Sequence, residues 1–397
     1  MQSNYKSLGE HIRLVKVKNS DDSVKELLGI NIDKFFMPSV ANIVGTDLSK
    51  YQIVQKNQFA CNRMHVGRDY RIPVAKSDSD FPFIVSPAYD VFEIIDESIL
   101  LPDYLMLWFK RREFDRNAWF YTDADVRGGL HWKAFIEIKL PIPSLEKQKE
   151  LIEEYEAIEN RIQLNKKLCA TLEETAQTIY KHWFEDFEFP DENGKPYKSS
   201  GGEMVECEEL GKEIPKGWRV GKLEEIAIII MGQSPSGDSY NYEKNGKIFY
   251  QGRTEFGFRF PKIKTFTTEP TRIAKAKDIL LSVRAPVGDL NITLNDCCIG
   301  RGISAVRSKT HCNSFLFYLM KSVKDQFDIS NGEGTIFGSI NKDDLHAIKV
   351  LISDFKVDSA FENEVSQLDN KIENLCLQTQ KLEELKNLLL GKMAVEV

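Results

Sequence analysis

The chain has no C-x-x-C pair, no two histidines at ligand spacing and only six histidines in all, so no metal donor set stands out. Its seven cysteines, at 61, 169, 207, 297, 298, 312 and 376, are odd in number and widely scattered. That excludes a disulfide framework. Cys297 and Cys298 are adjacent, so on a strand they would face opposite sides and could not share an ion. No apolar run approaches the roughly 18–20 residues of a membrane span; the longest candidate is IAIIIM at 226–231. The first residues lack the basic-then-apolar order of a secretion signal, and a cytoplasmic chain is expected. Also missing are G-x-x-x-x-G-K-[ST], G-x-G-x-x-G after a strand, H-E-x-x-H, G-x-S-x-G and the Asn/Asp-Pro-Pro-aromatic motif of amino-methyltransferases. The chemistry expected of this chain is binding.

What remains is ordinary globular material. The 397 residues are 42% hydrophobic and 28% charged, enough for two or three domains. The net charge of −7 argues against a surface that is positive everywhere. The charge is uneven along the chain, however. Residues 1–143 carry 19 basic and 19 acidic side chains, residues 144–217 carry 10 and 18, residues 218–355 carry 19 and 15, and residues 356–397 carry 5 and 8. Acid is concentrated in the segments that read as helix and linker, which leaves room for local basic faces elsewhere.

The sequence repeats itself. KNQFACNRMHVG (56–67) aligns with KDILLSVRAPVG (277–288), matching Lys56 to Lys277, Arg63 to Arg284, Val66 to Val287 and Gly67 to Gly288. GGLHWKAFIEIKLPIP (128–143) aligns with GSINKDDLHAIKVLIS (338–353) at an offset of 210. The same offset carries a 4,3 spacing through Leu151, Tyr155, Ile158, Ile162, Asn165, Cys169, Leu172, Ala176 and Ile179 onto Phe361, Val365, Leu368, Ile372, Leu375, Thr379, Leu382, Lys386 and Leu389. A heptad seam sustained this long predicts a helix that pairs with another helix, and the natural partner is its own repeat. Asn165 and Thr379 are the polar seam positions that would fix register.

The spacing predicts a globule over 1–143, a helix over 144–184 opening at the N-cap Ser144, and a structured but irregular connector over 185–217 rich in Gly, Pro, Ser and Glu. A second globule over 218–355 and a second helix over 356–397 follow. Forty helical residues extend about 60 Å. Helix two has the weaker start, with Ser353 or Asp354 as its cap. The fold class is α+β: two similar globules and two long antiparallel coiled-coil helices, related by an internal pseudo-two-fold repeat.

Candidate contact residues are basic and polar. YQGRTEFGFRF (250–260) interleaves Gln251, Arg253 and Arg259 with aromatics and glycines, and Lys262 and Lys264 follow. Arg and Gln have the bidentate geometry that suits guanine and adenine edges. In the first globule Arg63, His65, Arg68 and Arg71 cluster, and Lys110, Arg111, Arg112 and Arg116 form a second group that looks like the exposed side of a helix. Each group reads either as a nucleic-acid contact or as a solvated face. The recurrence of Arg63 and Arg284 before Val-Gly fits a DNA contact as well as a buried ion pair or turn. Arg301, between Gly300 and Gly302, fits a phosphate contact as well as a tight strand turn. A third class of function is a metal-dependent nuclease built on Glu137 and Lys139 with Asp123 or Asp125. Against it, the aligned repeat reads Ala347-Ile348-Lys349.

With the repeat and helices in view, the whole chain resembles the specificity subunit of a Type I restriction–modification enzyme. LPIPSLEKQKELIEEY, FEFPDENGKPYKSSGGEMVECEELGKEIPKGW, LLSVRAPVG and CCIGRGISAV carry the resemblance. It implies that the globules are target recognition domains and the helices are conserved spacers. It further implies a non-catalytic subunit that reads a bipartite, asymmetric site in double-stranded DNA and recruits two methyltransferase subunits, with motor–nuclease subunits joining for restriction. S-adenosylmethionine, ATP and magnesium would reside on those partners, and no cofactor on this chain. Half-sites one helical turn apart would need reading heads about 34 Å apart. The competing class is a protein-interaction adaptor with paired helices.

Overall fold

A computed structural model describes residues 5–39, 45–64, 66–122, 128–284, 286–331 and 339–394. The chain divides into two compact units, residues 1–166 with 377–397, and residues 167–376. Each unit holds one globule and one stretch of each long helix.

Unit one is built on an antiparallel sheet of β1 (Ile12–Val15), β2 (Phe59–Cys61), β3 (Val74–Lys76) and β4 (Asp90–Ile94), in the order β1-β4-β2-β3. In β2 all three residues are buried, which is why the run Phe-Ala-Cys carries no polar alternation. Against this sheet pack α1 (Pro102–Phe109) and α2 (Arg112–Phe120). Pro102 opens α1, where its missing N–H costs nothing. The core is aromatic: Phe59 stacks on Phe92 at 5.1 Å, and Phe109 meets Phe114 at 4.8 Å and Phe135 at 6.1 Å.

Unit two repeats this plan with β5 (Ala227–Met231), β6 (Ile279–Ser282), β7 (Leu290–Ile292) and β8 (Ile303–Ser308), in the order β5-β8-β6-β7 and again antiparallel. Here α3 (Asn313–Asn331) replaces α1 and α2. The repeat extends to single hydrogen bonds. Leu8 N donates to Ile138 O and Leu223 N to Ile348 O, both at 2.9 Å. Ser7 N donates to Glu10 Oε1 and Lys222 N to Glu225 Oε1. In both globules a first strand (Tyr5–Ser7, Arg219–Lys222) pairs antiparallel with the last (Lys139–Pro141, Lys349–Ile352), so each globule closes on itself just before its long helix.

The long helices run Leu145–Phe184 and Phe355–Lys392. Ser144 Oγ accepts the Lys147 amide at 3.3 Å, and Asp354 Oδ1 accepts the Lys356 amide at 2.8 Å. Both satisfy first-turn donors that have no partner inside the helix. Their pairing is antiparallel. In unit one Leu151, Tyr155 and Ile158 share a core with Leu389 and Leu390. Asn165 Nδ2 reaches Gln378 Oε1 at 3.0 Å and Thr379 Oγ1 at 3.3 Å. In unit two Cys169, Leu172, Ile372 and Leu375 cluster, and Ile179, Phe361, Val365 and Leu368 join the main core. Ile162 is fully buried and Leu382 half-buried. The seam expected from the heptads is thus the seam observed.

Residues 185–217 are packed rather than loose. Phe187, Phe189, Ile214 and Trp218 are buried, and Phe189 lies between Tyr197 (4.6 Å) and Trp218 (5.1 Å) in two stacked contacts.

Candidate nucleic-acid interface

In unit two the loop from Gln251 to Lys264 crosses the end of the sheet. Strand Lys247–Tyr250 runs parallel to Cys297–Ile299, so Gln251 leaves its strand where the Gly300-Arg301-Gly302 turn leaves the neighbouring one. The glycines are there for contact. A Cβ at Gly300 would stand 2.8 Å from Gln251 O, and one at Gly302 3.1 Å from the same atom. The tight-turn reading of these glycines therefore has a structural reason, while Arg301 projects as an exposed residue whose amide donates to Ser234 Oγ at 3.2 Å. Gln251, Arg253, Lys262, Lys264 and Arg301 are all exposed. Lys262, Lys264 and Arg301 make no ion pair with a described residue. Arg253 pairs with Asp289, which also accepts Lys324 Nζ at 2.6 Å. Partial burial of Asp289 would raise its pKa, yet Lys324 and Arg253 together bring it below the usual range.

Arg259 corrects the sequence reading. It is 1% exposed and cannot touch a nucleic acid from where it lies. Its Nη2 donates to Asp369 Oδ1 at 2.5 Å, Nη1 to Tyr318 Oη at 3.3 Å, and its guanidinium sits 3.7 Å above the Phe317 ring. Burial disfavours its charge, but Asp369, Tyr318 and Glu173 outweigh that and hold its pKa above the ordinary value.

The recurrent pair Arg63 and Arg284 separates. Arg63 Nη2 pairs with Asp90 at 2.5 Å, its Nη1 reaches Leu130 O, and the guanidinium lies 5.6 Å from the Trp132 ring centroid. Of its two readings, the ion pair and turn is the one this geometry displays, with Arg63 half-buried. Arg284 is exposed, bridges by its backbone to Ser339, and pairs with no described carboxylate. His65 lies outside the described residues, as do Asp123 and Asp125. Arg68 is exposed and held by Asp69, and Arg71 by Asp33 at 2.8 Å. Behind Arg63, Gly67 and Gly128 touch: a Cβ on Gly67 would fall 2.6 Å from Gly128 Cα, and Gly128 has φ +57°.

The second basic group of the first globule divides as well. Arg111 is buried and Lys110 half-buried, both turned toward the long helices, while Arg112 and Arg116 face solvent. Beside them stands a group that sequence reasoning missed: Tyr70, Trp119, Phe120 and Tyr121 are 44–77% exposed, with Tyr70 5.4 Å from Trp119. Three consecutive aromatics on a helix cannot all face one core, and that was the available signal.

Glu137 and Lys139 are both exposed, and no cluster of three metal-ligating side chains occurs among the described residues. No described helix is long and apolar enough to cross a membrane.

Comparison with known proteins agrees with this architecture. Residues 215–387 match the model of the Type I restriction modification DNA specificity domain. The type I restriction enzyme MjaX specificity subunit of Methanocaldococcus jannaschii is 33% identical over 304 residues, covering 74% of this chain and 68% of that protein. The HindI specificity subunit of Haemophilus influenzae is 22% identical over 98% of this chain and 97% of its own length. A crystal structure of the S subunit of a Type-I restriction-modification system from M. genitalium superposes with a TM-score of 0.58 at 15% identity, covering 98% of this chain and 95% of that one. With its two-globule, two-helix fold and a relative of this similarity, the chain belongs to the family of type I restriction enzyme specificity subunits.

Proposed function

We propose that this chain is the DNA-reading subunit of a Type I restriction–modification complex, with each globule reading one block of a split, asymmetric site. The carrying observation is that the two globules share one sheet plan while exposing different chemistry. Unit two offers Gln251, Arg253, Lys262, Lys264, Arg284 and Arg301 at loop ends. Unit one offers Arg68, Arg71, Arg112 and Arg116 beside the exposed aromatics Tyr70, Trp119, Phe120 and Tyr121. Two different surfaces on one scaffold read two different sequences, which makes the site non-palindromic.

The chain is non-catalytic in this reading. The paired helices carry two methyltransferase subunits, motor–nuclease subunits complete the restricting complex, and S-adenosylmethionine, ATP and magnesium act on those partners. The acidic overall balance supports a division of labour in which partners supply part of the phosphate contact. DNA binding by the isolated chain is then weak and salt-sensitive, tightening when methyltransferase subunits join.

The test is co-expression with the cognate methyltransferase subunit, followed by genome-wide mapping of methylated positions by single-molecule sequencing. A split motif of two short blocks around a fixed gap is expected, and exchange of residues 1–143 for those of a relative should alter one block only. Co-purification without methylation would favour a protein-interaction adaptor instead.

A further inference from the structure

Arg253, Lys262 and Lys264, exposed cations of unit two, sit on a loop whose middle is driven into the helix pair. Gly257 N donates to Asn291 Oδ1 at 3.0 Å and Gly257 O accepts Asn291 Nδ2 at 3.1 Å, fixing the loop to β7. Two residues on, the chain turns inward. Phe260 packs among Cys169, Ile372 and Leu375, an apolar cluster made by both long helices. Arg259 reaches the same helices by charge: Asp369 of the second at 2.5 Å, and Glu173 of the first at 3.6 Å. Glu173 Oε2 is buried and has no hydrogen-bond partner of its own, so Arg259 is the cation that faces this oxygen, while Lys321 holds Oε1. Past this anchor the chain returns outward, Lys262 N donating to Glu255 O at 2.7 Å. Phe258, one residue before the anchor, is 57% exposed.

A fork that bridges one carboxylate from each helix senses both at once. A shift of one helix against the other changes the Asp369 and Glu173 legs unequally. The planar guanidinium is buried and stacked on Phe317, so following such a shift breaks that packing or pulls on the backbone that carries it. That backbone is the loop bearing Gln251, Arg253, Lys262 and Lys264. We infer that Arg259 is a positioning residue: it transmits the packing of the two long helices to the reading loop of the second globule, and so sets the stringency of one half-site. The inference rests on the DNA-reading function proposed above and adds to it a residue that touches no DNA.

The experiment uses the full chain in complex with the methyltransferase subunit. Arg259→Met keeps the aliphatic packing and removes the fork. Cognate sites should be methylated about tenfold more slowly, corresponding to about 1.4 kcal/mol. Sites mismatched in the block read by the second globule should gain relative to them, and the other block should stay unchanged. Arg259→Lys, which keeps the charge at Asp369 but not the fork, should restore rate more than stringency. Because a lone Arg259→Met leaves buried carboxylates that weaken folding, the triple variant Glu173→Gln/Arg259→Met/Asp369→Asn removes them together. A folded triple variant should show the same loss confined to one block. A general loss of fold would slow all sites alike without changing which bases are read. If the folded triple variant keeps both the wild-type motif and its stringency, the inference is overturned. If the wild-type complex itself yields no split motif, the failure belongs to the proposed function instead.

Discussion

The two globules fasten to the long helices by different physics. In unit one the contacts are apolar and to backbone. Tyr5 Oη donates to Ala394 O at 3.0 Å, Arg111 Nε donates to Leu390 O at 2.8 Å with its guanidinium 4.1 Å over Trp108, and Lys110 sits 4.7 Å above the Tyr155 ring. In unit two an apolar core is shared with the helices as well, and to it are added ions on carboxylates. Arg259 and Lys321 meet Glu173, Arg259 meets Asp369, Lys277 meets Glu373, and Glu362 Oε2 accepts the Ser314 and Phe315 amides at the start of α3. Helix ends explain the difference. The last four carbonyls of a helix have no internal partner, and Leu390 lies in the last turn of a helix that stops at Lys392. A cation docking there finds acceptors already in place. Asp369 and Glu173 lie in mid-helix, where the carbonyls are used, so a docking cation needs side-chain carboxylates.

The strongest way to break this contrast is Arg259→Met. Removing one partner of a buried ionic group leaves charge uncompensated, and a loss of about 3–5 kcal/mol is expected in urea unfolding of the chain. The triple variant should recover most of it, since it strands no carboxylate and the Lys321 ammonium that loses Glu173 is about one-third exposed and can turn to water. Recovery of less than half would mean that the ions hold unit two by more than mutual compensation.

A second variant sharpens the comparison through pH. Asp358, buried in the first turn of the second long helix and bonded to Ser353, has its pKa pushed up to about 6 by burial. A carboxyl raised on folding contributes stability while protonated, and this contribution is lost as pH rises through about 6. Asp358→Asn should therefore match wild type near pH 4 and be more stable at pH 8. The full shift corresponds to about 3 kcal/mol at most. Denaturant midpoints at the two pH values measure this. Equal differences at both would show that folding does not raise the Asp358 pKa.

The helices and the repeat were legible because both are periodic. A seam such as Ile162, Asn165 and Cys169 declares itself within a few residues, and Asn165 met Gln378 and Thr379 as a register residue should. The candidate contact residues were legible only in part. Gln251, Lys262, Lys264 and Arg301 emerge on the surface, but nothing near Arg259 in sequence announces Asp369, 110 residues away, or Glu173 on the other helix. Charge composition locates a basic stretch and cannot say which cation turns inward. Lys110, Arg111, Arg112 and Arg116 teach the same lesson, since helical position and not charge decides which of them reaches the long helices.

That group supplies the smallest expected effect. Arg111→Met removes a hydrogen bond to a neutral carbonyl and a ring contact with Trp108, and it leaves no carboxylate stranded. The methionine still packs against the indole. Leu390 O loses a partner at a helix end where carbonyls commonly turn to water. The cost should be at the low end of about 1.5–3 kcal/mol, the range for one hydrogen bond to a charged group, and below that of Arg259→Met in the same unfolding experiment. Burial already lowers the Arg111 pKa whereas that of Arg259 is raised, so the two guanidinium groups are held by different balances of the same forces. If the two variants cost the same, the attachment of unit one is as ionic as that of unit two, with Glu113, 3.6 Å from Arg111, as the carboxylate responsible. Glu113→Gln alone would then reproduce the loss; if the helix-end carbonyl is the true acceptor, it should change stability by less than about 0.5 kcal/mol, as expected for an exposed pair.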